Sequence, residues 1–64
     1  MTVNGHGYNH RAGLTLHRLL DELEVDQRLV VVMHGDEIYR AGRIPDAALA
    51  EKDVVEIVTM AQGG

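Results

Sequence analysis

Asp53 leads into Val54-Val55-Glu56-Ile57-Val58-Thr59-Met60, and this stretch decides the fold. Its β-branched residues favour an extended chain. Alternation puts Val55, Ile57 and Thr59 on one face, and Val54, Glu56, Val58 and Met60 on the other. Upstream, Leu29-Val30-Val31-Val32-Met33 is an unbroken apolar run, which predicts a central strand buried on both faces or nearly so. His34-Gly35-Asp36-Glu37 reads as a turn, Ile38-Tyr39 begins a return strand, and Gly42 and Pro45 end it. Ala47 to Ala50 predicts a helical turn after Asp46, with Leu49 tucked inward.

The first part of the chain supplies the remaining elements. Met1-Thr2-Val3 is a short strand with Met1 and Val3 on one side, and Asn4-Gly5 is a turn signal because both residues tolerate positive φ. A polar segment, about residues 6–12, returns as the second strand of a hairpin. Thr15 is the expected N-cap of a helix. Leu16, Leu19, Leu20 and Leu23 recur at i, i+3, i+4 and i+7, and His17, Arg18, Asp21 and Glu22 fall on the solvent side. In so small a domain the leucine stripe is read as core rather than as a partner-binding groove. One helix crossing one small mixed sheet is an α+β design. A right-handed crossover pairs the last strand parallel to the first, which is the arrangement of a β-grasp, or ubiquitin-like, fold.

Composition narrows the chemistry. With 64 residues the chain is expected to form one domain, residues 1–64. It has no cysteine, so disulfides, thiolate metal sites and thiol nucleophiles are excluded within it. Ten acids against six bases give a formal net charge of −4, and there are two tyrosines and no Phe or Trp. Neither feature suits a nucleic-acid binder, which needs a basic stripe and stacking aromatics. No apolar run approaches the roughly 20 residues of a membrane helix, and Met1 to Gly5 show no signal-peptide pattern. A cytoplasmic protein with no nucleic-acid or membrane partner is expected.

Four histidines raise the question of a metal. His6 and His10, with Tyr8 between them, share a strand face, and His17 or His34 would have to complete the set. No compact ligand motif is present, so the four read as solvated surface residues and no metal is expected. Arg40 and Arg43 read as solubility charges rather than a phosphate contact. Asp21, Glu22 and Glu24 read as a solvated helix face rather than an acid/base pair.

After Met60 the sequence reads Ala61-Gln62-Gly63-Gly64. Four extended residues reach at most about 13 Å beyond a sheet. Glycine lacks a Cβ, so such a backbone enters a channel too narrow for side chains. Two readings stand for Gly63-Gly64. One is a frayed end. The other is a flexible tail, residues 61–64, whose terminal carboxylate is the reactive group in a chain that lacks any other chemical site.

The residues that carry a family resemblance are now in place. Val55-Glu56-Ile57-Val58-Thr59-Met60-Ala61-Gln62-Gly63-Gly64 resembles the V-E-I-V-x-x-x-x-G-G ending of the ThiS family, the sulfur carriers of thiamin biosynthesis. Asn4-Gly5 resembles that family's first hairpin turn, Thr15 to Leu20 its helix start, and Val30 to Ile38 its central strand and return. The sequence departs from the family at His34-Gly35, where Asn-Gly is usual, and at Glu51-Lys52-Asp53, where Asp-Gly-Asp is usual.

The resemblance implies a carrier that catalyses nothing and binds no cofactor of its own. An E1-like activating enzyme of the ThiF type would adenylate the Gly64 carboxylate with ATP and Mg²⁺. A cysteine desulfurase system would supply sulfur as a persulfide, giving a thiocarboxylate. A thiazole synthase of the ThiG type would then consume that sulfur. Gly64 would carry the chemistry, while Gly63, Gln62 and Ala61 give it access to the partner active sites. Val58 and Met60, on the outer sheet face near the tail, are candidate partner contacts, with ordinary edge packing as the alternative. A carrier for molybdopterin or another thioacid route, a ubiquitin-like modifier and a plain binding module are the competing functions.

Overall fold

The computed structural model describes residues 1–59; Met60 and the expected 61–64 tail lie outside the described residues. Strands β1 (Thr2–Val3) and β2 (His6–Gly7) precede helix α1 (Leu16–Glu22), followed by β3 (Val30–His34), β4 (Glu37–Tyr39) and β5 (Val54–Thr59). They form a five-stranded sheet in the order β2-β1-β5-β3-β4. β5 lies in the middle, parallel to β1 and antiparallel to β3. The last strand therefore sits beside the first, as the crossover rule requires. This is a β-grasp architecture.

The β1–β2 turn works through both of its central residues. Asn4 and Gly5 have φ of 53° and 82°, the two positive values that define a type I′ turn and match strand twist. The Asn4 side chain then acts across the sheet. Its Oδ1 accepts from Ile57 N at 2.7 Å, while Asn4 N donates to Val55 O at 2.9 Å. One turn residue so prolongs the short β1–β5 ladder. The second strand is shorter than the 6–12 expectation, because only His6 and Gly7 pair with β1. In the β3–β4 hairpin His34 pairs with Glu37, leaving Gly35-Asp36 as a two-residue turn. Gly35 takes φ of 60°, as a type II′ turn requires at its first central position.

Every amide in the first turn of α1 has a partner. Leu16 N donates to Ala47 O at 2.8 Å, His17 N to Asp46 Oδ1 at 3.0 Å, and Arg18 N to Thr15 Oγ1 at 3.4 Å. Thr15 is thus the N-cap read from the sequence, and Asp46 is a second cap delivered from a distant loop. At the other end Val25 N donates to Leu20 O and Glu24 N to Asp21 O, the bond pair of a Schellman motif. Its left-handed position is held by Glu24, with φ of 58°, where glycine is the usual occupant.

The core lies between α1 and one face of the sheet. Leu16, Leu19 and Leu20 are fully buried against Val3, Val30, Val32 and Val55, with Leu14, Ile44 and Leu49 closing the ends. Burying one such side chain is worth about 1.5–3 kcal/mol. Leu23, the fourth residue of the stripe, is at the C-cap and partly exposed. There the chain turns off the helix axis.

Two sequence expectations are corrected. β3 is not buried on both faces. Val30 and Val32 are buried, Val31 and Met33 are only half-covered, and Leu29 is exposed before the strand begins. The physical reason is that α1 covers one side of the sheet and, among the described residues, no second layer covers the other. β3 is an interior strand, paired with β5 on one edge and β4 on the other, while β5 holds the middle of the sheet. Residues 47–50 form no helical turn. They run extended, bridging Thr15 through Ala48, and Leu49 N donates to Leu14 O at 3.0 Å. Pairing with the backbone entering α1 satisfies these groups better than one isolated helical turn would. Leu49 does point inward as expected.

Candidate functional site

The tail residues singled out in the sequence, Ala61, Gln62, Gly63 and Gly64, lie outside the described residues, as does Met60. What the structure places is the strand that leads to them. β5 runs through the middle of the sheet and reaches Thr59 opposite Val30, at the start of β3. Val58 is on the outer face, directly opposite Val31, and is 46% exposed. β5 is the middle strand, so Val58 lies away from the sheet's edges.

The outer face is broader than the sequence marks. Register places Val31 opposite Val58, Met33 opposite both Glu56 and Ile38, and Thr2 beside Val54. These residues share one side of the sheet, away from α1. Val54 is 52% and Ile38 67% exposed. The result is an apolar strip across β5, β3 and β4, with Glu56 as a charge set among Val54, Val58 and Met33. The signal for it was the run from Leu29 to Met33. With one helix available, half of an unbroken apolar strand has to face outward.

The opposite end of the sheet is tied together by polar contacts. His34 Nε2 donates to Asp53 Oδ2 at 2.8 Å, and Ala50 N donates to the same oxygen at 2.8 Å. The amide of Ala50 first, then His34, holds the Asp53 carboxyl below its ordinary value. His10 Nε2 donates to Leu49 O at 2.8 Å, and His17 Nε2 to Ile44 O at 2.6 Å. A carbonyl only accepts, so in both rings Nε2 carries the proton. Three of the four histidines are therefore structural fasteners, part-buried in each case, rather than solvated residues; His6 is exposed on β2. Among the described residues no group of three or more His, Asp or Glu side chains could hold a metal ion.

Several other charged groups are committed locally. The Thr15 hydroxyl first, then the His17 amide, lowers the Asp46 carboxyl. Arg28 does the same for Asp26. Glu22 accepts from the Tyr8 hydroxyl at 2.7 Å and pairs with Arg11. These last three join the helix to a cleft lined by Gly7, Tyr8, Asn9 and Arg11. Glu22 lies on the exposed helix face, as the sequence reading has it, and there holds Tyr8 and Arg11. Arg40 and Arg43 are exposed in a turn closed by Arg43 N donating to Arg40 O. No helix among the described residues is long and apolar enough to cross a membrane.

Fold and site together define a small β-grasp domain that pairs an uncovered apolar sheet face with a central strand leading into a Gly-Gly sequence. The model of the ThiS family matches residues 1–64, and the chain belongs to the ThiS family. Two relatives bear on what such a chain does. It is 38% identical over 52 residues to the sulfur carrier protein ThiS of Thermus thermophilus, covering 81% of each chain. It is 36% identical over its full 64 residues to a thiazole synthase of Paramagnetospirillum magneticum, of whose length it spans 20%.

Proposed function

We propose that this chain is a sulfur carrier for the thiazole of thiamin, a protein co-substrate whose reactive group is the Gly64 carboxylate. The observation that carries this reading is the family match over the whole chain, together with a relative named sulfur carrier protein ThiS that aligns over four-fifths of both chains. The chemistry follows from the inertness of a carboxylate as an acyl donor. In the activating enzyme's site, with ATP and Mg²⁺, a Gly64 oxygen attacks the α-phosphorus, and pyrophosphate leaves. The resulting acyl-adenylate loses AMP to a persulfide sulfur delivered from a cysteine desulfurase. A thiol of the donor system then breaks the sulfur–sulfur bond, leaving a thiocarboxylate on Gly64 and a disulfide on the donor.

The fold contributes delivery. β5 is held in register from both sides, so its end has a fixed position relative to the sheet. Gly63, Gln62 and Ala61 would thread into a partner's active site while Val58 and Met60 meet its surface. Correspondence of the full chain with a fifth of a protein named thiazole synthase supports an enzyme of that type as the sulfur acceptor. An activating enzyme and a sulfur donor are required by the chemistry.

Complementation tests the proposal. In a thiamin auxotroph lacking its carrier, the full chain restores growth without added thiazole, and a version lacking Gly63 and Gly64 does not. Growth with the shortened version would overturn the role of the tail. Higher-mass lysine conjugates that disappear on deletion of Gly64 would instead mark a protein modifier.

A further inference from the structure

The outer sheet face holds a feature that delivery of the tail does not explain. Glu56 is exposed in the middle of the apolar strip, between Val54 and Val58 on its own strand and opposite Met33 on β3. Among the described residues its carboxylate forms no ion pair and no side-chain hydrogen bond; Asp21, Glu24, Asp36, Glu37 and Glu51 share that state, but Glu56 is the acid flanked by Val54 and Val58 within the apolar strip. A surface that docks through Val54, Val58, Val31 and Ile38 must also take Glu56 out of water. An unpaired carboxylate opposes that, and a cation placed against it reverses the penalty.

We infer that Glu56 is the specificity-determining residue of this face, and that the occupant is an enzyme presenting an apolar patch with one arginine or lysine set into it, which pairs with Glu56. The inference rests on the carrier reading and names the acceptor enzyme, the thiazole synthase, as that occupant. Three observations favour it. The chain carries a formal net charge of −4, so a cationic partner surface is complementary at long range as well. A second copy of the chain is disfavoured, because a two-fold pairing of this face brings the central Glu56 residues toward each other, and like charges in contact are costly. The sequence beyond Thr59 runs five residues to Gly64, at most about 17 Å of extended chain. An enzyme seated on this face therefore has its active-site mouth within that reach of the end of β5. Sequences with an uncharged residue at this position would dock less selectively, since the carboxylate rejects every apolar surface that lacks the cation.

Titration calorimetry of the full chain with purified thiazole synthase, without ATP or a sulfur donor, tests this directly. Wild type binds. Glu56→Lys weakens binding by about thirtyfold or more, and Glu56→Gln by less, as expected for loss of a desolvated charge pair. Glu56→Leu also weakens it, and affinity of the wild type falls with added salt. Unchanged thermal melting of the variants separates docking from folding, since Glu56 lies on the exposed side of β5. Glu56→Leu binding as tightly as wild type or tighter would overturn the inference, because Glu56 would then be a solubility charge. So would a wild-type chain that acquires sulfur on Gly64 yet gives no heat with thiazole synthase, an outcome that leaves the carrier reading standing.

Discussion

Asp53 shows how much one carboxylate does here. It closes the turn from Ala50, fixes His34 at the end of β3 and so anchors the start of β5. Its carboxyl is held below the ordinary range, first by the Ala50 amide and then by His34. A depressed folded-state value means that the carboxylate stabilises the fold above the unfolded value, near about pH 4, and that this contribution is lost as pH falls below it. Asp53→Asn is therefore expected to lower the melting temperature at pH 7, with the gap to wild type narrowing toward pH 3. Thermal melts at the two pH values check this; an equal gap at both would contradict it. The histidine contacts were not legible in the sequence. Their partners, Leu49 O, Ile44 O and the Asp53 carboxylate, lie 39, 27 and 19 residues away. Periodicity reports which face a residue takes and carries no record of such distant meetings.

At the scale of elements, local rules carried furthest where the residue and its backbone agree. Thr15 and the leucine spacing read directly as an N-cap and a buried face, and Asn4-Gly5 as a tight hairpin. They failed where a tertiary partner offered something better. Residues 47–50 pair with the entry to α1 instead of coiling, and Asp46 reaches the second amide of a helix that begins thirty residues earlier. Glu24 is the opposite case, a residue accepted at a left-handed position against its own preference. That conformation costs a non-glycine residue roughly 1–2 kcal/mol. Glu24→Gly is expected to stabilise the domain by about 0.5–1 kcal/mol after the extra unfolded-state entropy of glycine is subtracted. Urea denaturation measures it, and a loss of stability would show that the Glu24 side chain makes a stronger contribution than its backbone strain. Leu19→Ala is expected to act the other way, by about 2–5 kcal/mol. In so small a domain that leaves little or no folded population at room temperature, observable by circular dichroism.

For the whole molecule, the topology follows from two facts in the sequence, one amphipathic helix and a last strand apolar on both faces. The helix covers one side of the sheet. The second apolar face of β5 and β3 is then left outward, and the strip of Val31, Met33, Ile38, Val54 and Val58 is the consequence. The sequence marked Val58 and Met60 on that face but not its extent, because strand order and register are set by pairing and not by composition. Reading the tail is a different matter. Its chemistry is argued from the residue types of Gly63 and Gly64 and from membership of the ThiS family. The central claim is that Gly64 receives sulfur. Mass spectrometry of the intact chain after incubation with ATP, Mg²⁺, the activating enzyme and a persulfide donor measures this most directly. The account predicts a gain equal to one oxygen replaced by sulfur, localised to Gly64 by fragmentation and absent when Gly63 and Gly64 are deleted. An unchanged mass with a system that charges another ThiS-family carrier would contradict it.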